Sequence, residues 1–191
     1  MISPGFALSR SGFEGSSKLY ELIQKTGKPK FIKKGKTIIR EGSPATFMIY
    51  VKKGIFKTIV KGPKKNFILA FTFDDDFDCC PRSLLNKVPN NFNIEAVTDC
   101  EVLICKTDDM KKIAGKQEYQ QLVANILAHY AGFLEEQLFE FFNLTAEERY
   151  TKLIKTQPDK INSIPITLMA SYLGITVERL SRIRKKLKHL T

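Results

Sequence analysis

Residues 164–187 read IPITLMASYLGITVERLSRIRKKL. Counted from Ile166, a helix-turn-helix needs a small residue at the fifth place, where two helices cross closely. It needs glycine at the ninth, where the turn favours a left-handed backbone. Ala170 and Gly174 hold those places. The unit also needs apolar residues at places four, eight, ten, fifteen and eighteen, and Met169, Leu173, Ile175, Leu180 and Ile183 fill all five. Thr176 then supplies a hydroxyl to cap the second helix. With Leu180 and Ile183 turned inward beside Leu187, the opposite face presents Val177, Glu178, Ser181, Arg182 and Lys185.

Such a face suits a major groove. Arg182 can donate bidentately to guanine, Glu178 can accept from cytosine, and Lys185 and Lys186 can neutralise phosphates. The tail adds Arg184 and Lys188. Glu178 and Arg182 also stand four apart, the spacing of an ordinary pair on a wet helix, and that pairing is compatible with aiming the arginine at a base. The expected DNA-contacting set is therefore Thr176, Val177, Glu178, Ser181, Arg182, Lys185 and Lys186, over a helix-turn-helix core of Ala170, Gly174, Leu180 and Ile183.

Upstream, Thr145 and Glu148 form a capping box opening a helix that ends before Pro158. Before that box, residues 116–142 hold no proline, one glycine and a helical period. Ala124, Leu127, Ala131, Leu134, Leu138 and Phe141 follow at alternating steps of three and four, which is a heptad seam. Val123, Ile126, Tyr130 and Phe133 make a second stripe beside it. A helix apolar on two faces needs two partners. Nothing else in the chain offers a helix long enough to cover the seam, so Leu127, Ala131, Leu134, Leu138 and Phe141 are expected to meet a second copy.

The first 113 residues have another texture. After a short helix in SSKLYELIQK come β-rich runs at 31–33, 37–39, 47–51, 55–61, 67–73, 92–97 and 102–106, cut by turn residues such as Lys53-Gly54, Gly62-Pro63 and the acidic Asp74-Asp75-Asp76. Short strands with regular turns and no long helices between them predict an antiparallel sandwich or barrel.

Composition narrows the function classes. The 191 residues are 43% hydrophobic and 27% charged, a globular balance, and no apolar run is long enough to span a membrane. The opening residues lack the pattern of a secretory signal, and four cysteines (Cys79, Cys80, Cys100, Cys105) without Cys-x-x-Cys spacing fit a reducing cytoplasm. Lysine and arginine number 31 against 20 acids, a net charge of +11, which favours an anionic partner. Both ends are basic and the segment 116–144 is acidic.

The order of these features resembles the Crp/Fnr family of bacterial transcription regulators. The spacing of KKGKTIIREGSPATFMIYVKKGIFKT, the long helix and the terminal unit with Glu178 and Arg182 carry the resemblance. It implies an α+β chain with a jelly-roll-like antiparallel β-roll sensor at 1–115, a dimerisation helix at 116–144 and a helix-turn-helix domain at 145–191. It implies a cytoplasmic homodimer on a near-palindromic double-stranded DNA operator, RNA polymerase as a further partner, and a small-molecule effector in the β-roll.

The sequence departs from the family in two places. The cyclic-nucleotide cassette has a Gly-Glu pair for the ribose and an arginine plus a small hydroxyl residue for the phosphate. Here the stretch reads DFDCCPRS over 76–83, and Asn90-Asn91 stand where the phosphate arginine belongs. A buried phosphate without that partner is costly, so cyclic AMP is not the expected effector. Arg82, Ser83, Asn90 and Asn91 remain the candidate pocket for some other effector. The β-hairpin wing that often follows the recognition helix is also missing.

No metal, cofactor or enzymatic activity is expected. His129 and His189 lie outside the strand zone, the cysteines read as small packing residues, and neither a nucleophile–base pair nor a glycine-rich phosphate loop stands out. A competing function is a small-molecule or redox sensor module acting through protein contacts, its DNA-binding unit vestigial.

Overall fold

The structure is a computed structural model that describes residues 8–9, 13–63 and 65–188. Among the described residues, nine strands and three helices make the N-terminal part: β1 (Leu8–Ser9), α1 (Ser16–Thr26), β2 (Lys28–Ile32), β3 (Thr37–Ile39), β4 (Phe47–Lys53), β5 (Phe56–Lys61), β6 (Asn66–Thr72), β7 (Asp76–Asp78), α2 (Pro81–Asn86), β8 (Asn93–Ala96), β9 (Cys100–Lys106) and α3 (Thr107–Ala114). There follow α4 (Lys116–Asn143), α5 (Ala146–Thr156), α6 (Pro158–Asn162), α7 (Ile166–Leu173) and α8 (Val177–Lys188). Every strand pair is antiparallel, in two sheets ordered β1-β7-β4-β9-β2 and β3-β8-β5-β6. This is the expected sandwich of an α+β chain.

Strand alternation distributes the core. On β9, Cys100 and Val102 point between the sheets, while Leu103 and Cys105 point outward against α1 and α4. On β4, Ile49 and Val51 point inward and Met48 and Tyr50 outward. Sheet strands buried on both faces read as continuous apolar runs, and FMIYV and VLIC are such runs. The helices answer with Leu19, Leu22 and Ile23 of α1 and Leu122, Val123 and Ile126 of α4. A third cluster joins Ile55, Ile68, Phe71, Phe73 and Val97 of the β-roll to the C-terminal helices, with the Phe71 and Tyr172 rings 5.7 Å apart.

Five elements escape the sequence expectations. β1, β7, α2, α3 and α6 were not anticipated, and Asp76, read as part of an acidic turn, starts a strand and is 1% exposed. α3 has Asp108 and Asp109 in its first turn and Lys111 and Lys112 in its last, charges that favour a helix dipole. Among the described residues, 145–188 contain helices and no strand, so no wing is seen there.

Candidate nucleic-acid interface

The C-terminal unit is assembled by its ends. Thr145 Oγ1 accepts from the Glu148 amide and the Glu148 carboxylate accepts from the Thr145 amide, so the capping box that opens α5 is complete. α7 stops at Gly174, whose φ of 73° and ψ of 25° place it in the left-handed region that a side chain adopts at a cost. The Ile175 amide then bonds back to the Ala170 carbonyl at 3.0 Å. Thr176 Oγ1 accepts from the Arg179 amide at 3.2 Å and caps α8. Arg149 of α5 donates to the Leu173 carbonyl at 2.8 Å, pinning the end of α7 to α5.

Met169, Ala170, Leu173, Leu180 and Ile183 are buried and Ile175 is half-buried, so α7 and α8 close on one small core. The outer face of α8 presents Glu178, Ser181, Arg182 and Lys185, all exposed, with Thr176 exposed at its head. The Glu178 carboxyl is held below its ordinary range, first by its own backbone amide, then by the Thr176 hydroxyl and by Arg182. It is therefore an anionic acceptor at neutral pH.

Four residues require correction or addition. Val177 is half-buried against the helix-turn-helix core and does not belong to the open face. Lys186 Nζ lies 2.6 Å from Glu147 Oε1, so its charge is partly committed within the domain. Arg184 donates from Nε to the Tyr150 hydroxyl at 2.8 Å and stands over that ring, a structural role. Arg179 was missed; it is exposed in the first turn of α8, and its position beside Glu178 was the available signal. The Lys188 side chain and His189 lie outside the described residues.

On α4 the two stripes separate. Val123, Ile126 and Phe133 are buried against the β-roll side, with Tyr130 half-buried. On the seam, Leu127 and Leu134 are half-buried while Ala124, Ala131, Leu138 and Phe141 are exposed, Leu138 by 57% and Phe141 by 66%. Lys152 of α5 sits 2.6 Å from both Glu136 and Glu140 of α4, tying the C-terminal unit to the long helix.

The candidate effector residues serve the loops around them. Ser83 Oγ donates to the Val88 carbonyl at 2.6 Å. Asn90 Nδ2 donates to the carbonyls of Arg40 and Ser43, and its Oδ1 accepts from the Phe92 amide, so this 3% exposed side chain is consumed as a staple. Asn91 is exposed, and Arg82 lies on α2 with its side chain outside the described residues. On β7, Asp78 accepts from the Thr72 hydroxyl and the Cys79 amide, and burial pushes its carboxyl up to about 7.

Residues 29–117 match the cyclic nucleotide-binding domain family. By sequence the chain matches no curated protein. Among solved structures it is similar to FixK2 from Bradyrhizobium japonicum, at 21% identity and a TM-score of 0.71 over 86% of each chain. The c-di-GMP-responsive global regulator CLP from Xanthomonas campestris aligns at 13% identity and a TM-score of 0.65, over 91% of this chain and 92% of that one. A Crp/Fnr-family transcriptional regulator from Eubacterium rectale aligns at 17% identity and 0.64, over 90% and 83%. Residues 29–117 therefore match the cyclic nucleotide-binding domain family, within a chain that has the fold seen in solved Crp/Fnr transcription regulators.

Proposed function

We propose that the chain is a sequence-specific DNA-binding transcription regulator acting as a homodimer, with α8 as its recognition helix and α4 as its dimer helix. In this assignment 1–115 is the sensor unit, 116–144 the dimerisation helix and 145–191 the DNA-binding unit of a cytoplasmic protein. The observation that carries it is the outer face of α8, where Glu178, Ser181, Arg182 and Lys185 stand exposed on a helix fixed by Gly174 and the Thr176 cap. A forked donor and an acceptor on one helix face can read base edges, and the flanking lysine meets phosphate.

The open seam on α4 supports pairing, which would set two such helices against a near-palindromic operator with half-sites about 34–36 Å apart. RNA polymerase is the further partner of a regulator so placed. The commitment of Asn90 to the loop supports an effector other than cyclic AMP. The test is selection of duplexes from a genomic fragment library by the full chain at fixed salt, followed by titration of the enriched site against its scrambled version. A site enriched for an inverted repeat and bound more tightly than its scramble supports the function. Equal binding of both refutes it.

A further inference from the structure

Where the two sheets open between β2 and β3, a cleft of about 570 Å³ has no role in the function proposed above. Its floor is apolar: Ile32, Ile38, Phe47 and Ile104. Its rim carries Lys30, Lys33 and Lys36, and no acidic residue lines it. We propose that this cleft binds a soluble amphipathic anion, an alkyl chain ending in a carboxylate or phosphate, with the chain on the floor and the head group at the lysines.

The rim is built to stay in place. The Gly35 amide donates to the Ala96 carbonyl at 2.8 Å, the Ala96 amide to Lys36 at 3.0 Å, and the Lys36 amide to Lys33 at 3.1 Å. The Lys34 amide donates to Asp99 Oδ1 at 2.8 Å. Gly35 has φ of 78°, which lets the turn close tightly under these bonds. None of the three rim lysines is ion-paired among the described residues, and Glu95 on the facing strand is taken by Lys57 at 2.8 Å. Three cations beside an apolar floor attract an entering anion. Lysine and proline on the free edge of β2 guard against edge pairing, which accounts for Lys28 and Pro29. Lys33 and Lys36 lie in the turn beyond the strand, where that protection is not needed. The volume falls within the range of small-molecule sites, and the floor-plus-cation arrangement is the usual way such sites orient a polar head. No residue of the cleft coincides with Ser83, Asn90 or Asn91.

The test uses the full chain, without DNA, and probes of one length: dodecanoate, dodecyl phosphate and dodecanol, titrated by calorimetry below micelle formation. Both anions are expected to bind saturably and dodecanol is not. The double variant Lys33→Gln, Lys36→Gln alters exposed side chains only and is expected to weaken both anions by about tenfold or more. Ile38→Asp places a carboxylate on the floor and is expected to abolish binding, with its circular dichroism compared to the parent. Equal affinity for dodecanol, unchanged affinity in the lysine variant, or capture by phosphatidylglycerol vesicles without binding of the soluble anions would each overturn the proposal.

Discussion

Leu138→Lys is the sharpest perturbation of the proposed dimer. α4 has 28 residues and runs about 42 Å, with its seam ending in Leu138 and Phe141. Leu127 and Leu134 also pack on the β-roll core, so a charge at either would disturb the protomer as well as the pair. Leu138 is 57% exposed and outside every buried cluster, so its replacement tests pairing alone. Full burial of a leucine contributes about 1.5–3 kcal/mol, and slightly over half of that remains available here, or about 1–2 kcal/mol per protomer. Two symmetry-related positions double it. Two ammonium groups facing one another near the axis add about 1 kcal/mol or more. The dimer dissociation constant should rise by roughly a hundredfold to a thousandfold, read by sedimentation velocity over a concentration series. The melting temperature at the lowest concentration should match that of the dissociated parent. A parent that is monomeric throughout, or a Leu138→Lys chain that dimerises unchanged, would refute the reasoning from the seam.

Arg182→Ala should cost roughly 1–3 kcal/mol on the preferred operator and relax the choice at one position per half-site, measured by anisotropy on single-base variants. Lys185→Gln should weaken specific and scrambled duplexes by similar factors and flatten the salt slope by about one unit per contact, whereas Lys186→Gln should change it less because Glu147 already holds that ammonium. Calorimetry with cyclic AMP and cyclic GMP should show no saturable heat in the micromolar range, Asn90 being spent on the Arg40 and Ser43 carbonyls. The Asp78 carboxyl is raised from 3.8 to about 7 by burial, so the folded state keeps a proton that the unfolded chain has lost. Stability should fall as pH rises through that window, and Asp78→Asn should remove the Asp78 share of that slope in denaturant titrations, leaving the smaller share of Asp76, which burial also raises.

What the sequence revealed was set by how local each constraint is. Ala170, Gly174 and the five apolar places around them act within one helical hairpin, so their spacing together identified the pair of helices that the structure shows. The Thr145–Glu148 box is equally local, and the two stripes of α4 follow from one helical period. β7 was hidden because its residues are Asp-Phe-Asp, an unpromising strand until Thr72 and the Phe73 amide supply hydrogen-bond partners. α3 was hidden because eight residues carry little periodicity, and its Met110 is buried by packing against α1 and α4 that no local pattern signals. The partners of Val177 and Lys186 were hidden for a related reason. Both sit on α8 as a helical wheel requires, but the neighbours that claim them, the core around Leu173 and Glu147 of α5, come from other helices.

The same long-range contacts connect the β-roll to the C-terminal helices. α7 lies on β6, with Tyr172 against Phe71 and its hydroxyl on Gln137 of α4 at 3.3 Å. Lys160 of α6 reaches Asp76 of β7 at 3.5 Å and covers the Phe73 ring. Burial raises the Asp76 carboxyl, and the Lys160 charge is the largest effect opposing that rise. Separating the C-terminal helices from the β-roll would therefore uncover Phe71 and Phe73 and leave an inward-facing carboxylate without its cation, each of which opposes separation. β7 leads through Cys79 and Cys80 into α2, so α2 is joined directly to a strand whose first residue is ion-paired to Lys160 of the C-terminal unit. The orientation of α8 is in this way tied to the β-roll by packing and by one buried charge, not by the chain connection through α4 alone.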